Sequence, residues 1–220
     1  MREEYDDIKY LTLEQQRLFV AALQAGAVKN ETARDALYIQ LMTGMRPGEV
    51  IALCWQDIDF ENGTVTVAHT VHRTKETPSQ LELGETKTHS KREVPLSSEA
   101  LGILEMRRLA VLEGDVEVSE LVFANRRGGL IEPNGLNRYL KQCRAKMQEL
   151  APKGTVIPKF TAHALRHTFA TRALEAGVPL KVVSDWLGHS SVRITGDVYT
   201  HKTPECSQKW RAAMDSVIKF

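Results

Sequence analysis

The stretch Ile58-Asp59-Phe60-Glu61-Asn62-Gly63-Thr64-Val65-Thr66-Val67 sets Asn62-Gly63 between alternating β-forming residues, the composition of a β-hairpin. It is the clearest strand signal in a chain that otherwise reads as helices. On its C-terminal side a third strand is expected from about Lys87 to Pro95. On its N-terminal side Thr12 and Gln15 form a capping box that opens a helix to about Gln24, and Asn30 caps a second helix to about Met42, stopped by Gly44. Pro47 occupies a first-turn position and starts a short helix through Leu53. Beyond the strands, helices are expected from Ser97 or Ser98 to about Leu112, from Pro133 to about Leu150, and from Thr161 to about Glu175 with Gly177 behind it. Two shorter helices at about 179–187 and 191–197 flank Gly188-His189-Ser190, and Thr203-Pro204 starts a terminal one. The fold class is α+β, mainly α-helical, with a small antiparallel sheet.

The chain has 220 residues, 42% of them hydrophobic, enough for one sizeable core, and it shows no repeat, low-complexity segment or linker. Its apolar runs fall far short of the roughly 20 residues needed to span a bilayer. The acidic start MREEYDDIKY does not suit a signal peptide. A cytoplasmic protein without membrane contact is expected. Cys54, Cys143 and Cys206 are scattered with no CxxC pair, which fits reduced thiols and implies no structural metal.

The net charge of +1 conceals an uneven distribution. Residues 126–172 hold ten Lys/Arg and two acids, a local excess of +8 that leaves −7 for the remainder. Clustered cations of this kind suit a phosphate backbone, and also suit a solvated helix face. Arg126, Arg127, Arg138, Lys141, Arg144 and Lys159 are the candidate DNA contacts within the cluster.

Three further segments carry chemistry. In His163-Ala164-Leu165-Arg166-His167, positions three and four apart share a helix face, so His163, Arg166 and His167 form one basic, hydrogen-bonding surface. Zinc binding by the two histidines is disfavoured, because the Glu of an HExxH pattern is missing and the arginine would repel a cation. In Thr43-Gly44-Met45-Arg46-Pro47-Gly48-Glu49, Arg46 sits where one helix stops and another begins, a place that favours an anion. Glu49 is expected to orient its guanidinium through a bidentate pair; an ordinary surface salt bridge would have the same spacing. The third segment presents His189 after a glycine cap and Tyr199 ten residues on. A tyrosine hydroxyl, with a pKa of about 10, needs nearby positive charge to act as a nucleophile at neutral pH.

Together TGMRPGE (43–49), ETKTHSKREVPL (85–96), HALRHTFATRALEAG (163–177) and LGHSSVRITGDVYTH (187–201) resemble the tyrosine recombinase, or phage integrase, family, and in particular the integrases of conjugative transposons. The resemblance covers about residues 9–205. It implies that Arg46 and Arg166 clamp the non-bridging oxygens of a scissile phosphate, and that Lys87 protonates the departing 5′ oxygen. It further implies that His163 assists proton transfer from the nucleophile Tyr199, that His189 hydrogen-bonds the phosphate, and that Glu49 and His167 support these groups. The implied activity is site-specific cleavage and rejoining of DNA through a 3′-phosphotyrosyl intermediate, for integration or excision of a mobile element, with no cofactor and no metal. Lys75 and Lys91 compete with Lys87 for the lysine role.

The implied partner is double-stranded DNA. The whole of 1–220 is expected to be a single catalytic domain without the family's N-terminal core-binding and arm-binding domains, since the resemblance starts near Tyr10-Leu11-Thr12. The full-length parent is expected to act as a homotetramer on DNA, and this fragment to be a monomer or weak oligomer. The terminal helix, with Trp210, Ala213, Met214, Val217 and Ile218 at helical spacing, would pack onto a neighbouring subunit or back onto its own domain. Competing readings are a type IB topoisomerase, a non-catalytic DNA-binding regulator, and a metal-dependent hydrolase built on His163 and His167.

Overall fold

In the computed structural model, the described residues are 8–73, 81–85, 91–114, 119–189 and 191. The chain divides into two compact units, residues 1–169 and 170–220.

The first unit opens with α1 (Leu13–Gln24) and α2 (Glu31–Thr43). Both begin as their caps dictate. Thr12 Oγ1 accepts from the Gln15 N–H at 3.2 Å while Gln15 Oε1 accepts from the Thr12 N–H at 2.9 Å, and Asn30 Oδ1 accepts from the Ala33 N–H at 2.9 Å. Gly44 ends α2 in the left-handed region, with φ 66°. The chain then turns directly into α3 (Pro47–Ile51).

β1 (Ile58–Asp59) and β2 (Thr64–Val67) form the expected hairpin, with Ile58 opposite Val65 and Asp59 opposite Thr64. The loop between them is Phe60–Gly63: Asp59 Oδ1 accepts from the Glu61 and Asn62 N–H groups, and Gly63 takes φ 63°. β5 (Arg92–Pro95) pairs with the other side of β2 to complete a three-stranded antiparallel sheet. The third strand is thus described only from Arg92, and residues 86–90 lie outside the described residues.

A second hairpin, β3 (His69–Arg73) paired with β4 (Leu81–Glu85), was not expected from the sequence. No buried face stamps an alternating pattern on it. His69, Thr70 and Val71 are half-buried and His72 and Arg73 exposed. β3 lies against α3. The approach is so close that a Cβ on Gly48 would come within 2.9 Å of Thr70 Oγ1.

α4 (Ser98–Leu112) and α5 (Pro133–Leu150) complete the frame. α5 is amphipathic: Leu136, Leu140, Cys143 and Met147 are fully buried along one face, which turns toward α1, while Arg138 and Lys141 are exposed. Phe19 of α1 meets Phe160 edge-on at 6.0 Å between ring centres. α4 is tied to α2 by a buried pair in which Arg107 Nη1 donates to Asp35 Oδ2 at 3.1 Å and Arg107 Nε to the Val122 carbonyl at 3.1 Å.

α6 (Ala162–Glu175) begins in the first unit, where Thr168 Oγ1 accepts from the Leu11 N–H at 2.9 Å. The second unit continues α6, in which Arg172 pairs with Glu175, through Gly177 (φ 94°) to α7 (Leu180–Leu187). Gly188 caps α7 in the left-handed conformation, and the His189 N–H folds back onto the Ser184 carbonyl at 3.1 Å. The expected helix at 191–197, apart from Ser191, and the one from Thr203, including Trp210, Ala213, Met214, Val217 and Ile218, lie outside the described residues. No helix among the described residues is long and apolar enough to cross a membrane.

Candidate active site and nucleic-acid interface

Arg46 occupies the N-cap of α3 with an extended backbone (φ −67°, ψ 152°), as the proline after it requires. Its side chain is 41% exposed, so a ligand can reach it. Glu49, three residues on, is 2% exposed. The expected bidentate Arg46–Glu49 pair is instead a split one. Glu49 Oε1 accepts from Arg46 Nη1 at 2.8 Å, and Oε2 accepts from the Arg46 backbone N–H at 2.7 Å, because the third residue of a helix also serves its cap. The bidentate partner is Arg92 of β5, whose Nη1 and Nη2 donate to Oε1 and Oε2 at 3.1 and 2.6 Å. Burial alone would raise the Glu49 pKa. The hydrogen bond and charge of Arg92, then the backbone N–H and charge of Arg46, outweigh it and bring the value to about 2.

Arg166 is 4% exposed and its Nη1 donates to the Gly44 carbonyl at 2.9 Å. The α6 arginine is therefore fastened to the turn that carries Arg46. One turn earlier on α6, His163 is exposed and faces the same charges. Partial burial, then Arg166, then Arg46 lower its pKa below the ordinary 6.5. His167 is half-buried, and burial, Arg166, His163 and Lys9 lower its pKa in the same way. Both imidazoles are thereby shifted toward the neutral form. Arg46, Arg166 and His163 thus offer two fixed cations for an anionic oxygen and a ring nitrogen able to accept a proton.

The structure brings together Arg46, Glu49, His163, Arg166 and His167. His189 lies in the second unit. Lys87 and Tyr199, like the competing Lys75, lie outside the described residues. Arg92 was not singled out from sequence: it stands far from Glu49 along the chain and no local spacing announces the pair.

Of the expected DNA contacts, Arg138, Lys141, Arg144 and Lys159 line one open depression together with Asn137 and Thr161. Arg126 joins Arg138 at the rim of a second depression, and Arg127 is exposed in the same loop. Asn137 joins this basic surface to the histidine helix, because its Oδ1 accepts from the Ala162 N–H, the first of α6, at 3.0 Å.

Among the described residues one group has metal-ligand atoms within 4.8 Å of one another: Cys54, Asp57 and His69. Its chemistry fits local structure better than an ion. Asp57 Oδ2 accepts from the Cys54 N–H at 3.0 Å and faces His69 Nδ1 at 3.3 Å, while burial, Asp57 and Glu120 push the Cys54 thiol up to about 11.

Two arginines are thus tied to one helix-to-helix turn, with a histidine of lowered pKa beside them. The phage integrase family profile matches residues 9–205, and the chain belongs to that family, the tyrosine recombinases. It is 33% identical over 198 residues to a XerC-like tyrosine recombinase of Caldanaerobacter subterraneus subsp. tengcongensis, covering 81% of this chain and 48% of that protein. It is 31% identical over 201 residues to the transposase from transposon Tn916 of Enterococcus faecalis, covering 88% and 48%. Its fold matches that of the Tn1549 transposon integrase in complex with a circular intermediate DNA, with a TM-score of 0.76 and 25% identity over 98% of this chain and 67% of that one. The chain spans about half the length of the curated relatives it matches.

Proposed function

We propose that this chain is the strand-cleaving part of a site-specific DNA recombinase that integrates or excises a mobile element. The observation that carries the reading is the Arg166–Gly44 bond, which fixes the two arginines of the family pattern to one turn, beside a histidine whose pKa is lowered.

The chemistry follows from those groups. Arg46 and Arg166 bind the non-bridging oxygens of the scissile phosphate and offset the charge that builds as a fifth oxygen approaches phosphorus. Neutral His163 takes up the hydroxyl proton of Tyr199 as its oxygen bonds to phosphorus, and the 5′ oxygen departs with a proton from Lys87. His189 adds a hydrogen bond to the phosphate. The roles of Lys87, His189 and Tyr199 rest on the family pattern. Reversal by an incoming 5′-hydroxyl rejoins the strand with no external energy source, since the phosphotyrosyl bond conserves that of the diester. The depression at Arg138, Lys141, Arg144 and Lys159 supplies backbone contacts on double-stranded DNA. The parent protein works as a homotetramer on its site.

The test is a nicked suicide site incubated with the full-length parent in EDTA. A covalent adduct that maps to Tyr199 and is lost in Tyr199→Phe is the expected result. Undiminished adduct in Tyr199→Phe would overturn the mechanism, and an EDTA-sensitive cleavage would favour a metal-dependent hydrolase instead.

A further inference from the structure

We propose that Arg92 is a positioning residue for cleavage: by clamping Glu49 from β5 it fixes the guanidinium of Arg46 and leaves that guanidinium its charge for the phosphate. The proposal rests on the recombinase reading above.

Each Glu49 carboxylate oxygen carries one bond from each arginine. Oε1 accepts from Arg46 Nη1 (2.8 Å) and Arg92 Nη1 (3.1 Å); Oε2 accepts from the Arg46 backbone N–H (2.7 Å) and Arg92 Nη2 (2.6 Å). The exposures are graded in the same direction. Glu49 is 2% exposed, the Arg92 side chain 10% and the Arg46 side chain 41%, so only Arg46 faces a ligand.

Charge makes Arg92 necessary. A carboxylate as buried as Glu49 cannot remain ionised without partners. Were Arg46 its sole partner, the pair would sum to zero and the guanidinium would be divided between carboxylate and phosphate. With Arg92 the three groups sum to +1. Glu49 stays ionised on Arg92 whether or not Arg46 turns to a ligand, and among the described residues Arg46 Nε and Nη2 carry no hydrogen bond, leaving them for the phosphate oxygens. The depressed Glu49 pKa agrees with this division, since Arg92 lowers it by more than Arg46 does.

Place matters as well as charge. Arg92 opens β5, which follows the segment that holds Lys87, and it pairs in register with Val67 of β2. The rigid sheet, and not a mobile side chain, is therefore the reference against which Arg46 is held.

The experiment uses the full-length parent on two suicide sites, one with an ordinary scissile phosphate and one with a methylphosphonate there, which removes the negative charge that Arg46 meets. Single-turnover adduct formation and DNA affinity are measured for wild type, Arg92→Gln and Arg92→Lys. On the phosphate site Arg92→Gln is expected to slow adduct formation between about 10- and 100-fold, with DNA affinity within about threefold of wild type. Arg92→Lys should recover part of the rate, since it restores the charge without the fork. On the methylphosphonate site the wild-type to Arg92→Gln ratio should shrink to a few-fold. Because the ratio compares two sites with one preparation, partial misfolding cancels from it. Equal losses on both sites, or wild-type cleavage by Arg92→Gln on phosphate, would overturn the proposal and leave the recombinase reading standing. A wild-type parent that forms no adduct at Tyr199 would overturn both.

Discussion

Arg166 reaches back across the fold to donate to the carbonyl of Gly44 at 2.9 Å, two residues before Arg46. The acceptor exists because Gly44 leaves α2 in the left-handed conformation, φ 66°, which a residue with a Cβ adopts at a cost of about 1–2 kcal/mol. Gly44→Ala is therefore expected to lower unfolding free energy by about that amount, read by urea denaturation. It should also slow adduct formation, since the carbonyl that anchors Arg166 is displaced. A variant as stable and as fast as wild type would show that the turn does not set the spacing of the two arginines.

The ion pair between Arg107 and Asp35 has a different duty. Both residues are buried, at 9% and 7% exposure, and Arg107 also holds the Val122 carbonyl and lies 5.1 Å from the Phe123 ring centre. Arg107→Met leaves the buried Asp35 with Arg34, whose Nε donates to Oδ1 at 3.0 Å, and is expected to cost about 3 kcal/mol, the lower end for breaking a buried pair. Arg107→Met combined with Asp35→Leu should recover much of the loss, and a double-mutant cycle by chemical denaturation measures how much. Additive losses would mean that the cost lies in the separate contacts of the two residues, Arg107 with the Val122 carbonyl, Thr32 and Phe123 and Asp35 with Arg34, and not in the pair.

What the sequence disclosed about this fold tracks how local each signal is. Thr12 with Gln15, Asn30, Gly44 and Pro47 act within one helical turn, and the helix ends they mark agree with the structure within a residue or two. The β3–β4 hairpin was missed because its half-exposed residues carry no burial alternation. At the site, Arg46, Glu49 and the His163–His167 helix could be read because their spacing is three or four residues. Arg92 on Glu49 and Asn137 on Ala162 could not, since tertiary hydrogen bonds between distant segments leave no periodic trace.

The histidines and Glu49 give stability a two-step dependence on pH. The native pKa values of His163 and His167 lie below 6.5, so as pH falls through that value the unfolded chain binds protons first and the native state loses stability. Glu49 is shifted downward too, from 4.5 to about 2, and its contribution, full above pH 4.5, is lost as pH falls toward 2. Denaturation midpoints measured from pH 8 to 3 should decline from about pH 6.5 and more steeply below 4.5. His163→Gln with His167→Gln should flatten the first step, and Glu49→Gln the second while lowering stability at neutral pH. A first step unchanged in the double histidine variant would assign it to other groups.

Arg138, Lys141 and Arg144 recur every three residues along one flank of α5 and share a depression with Lys159, the arrangement expected of contacts to successive phosphates on a DNA strand. Each phosphate neutralised releases condensed counterions, so the slope of log affinity against log salt counts such contacts, at about 0.9 per contact on duplex DNA. Replacing Lys141 or Arg138 by Ala should weaken binding of the full-length parent to all sequences alike and reduce that slope by about 0.9 each. Lys146 is the control. It lies on the same helix, but its Nζ already pairs with Glu149 at 2.7 Å, so Lys146→Ala should leave the slope unchanged. If Lys146→Ala lowered the slope as much as Lys141→Ala, the effect would follow from net charge alone, and the depression could not be distinguished from any other basic surface of the molecule. If none of the three did, the DNA would have to follow a path elsewhere, past the exposed Arg126 and Arg127.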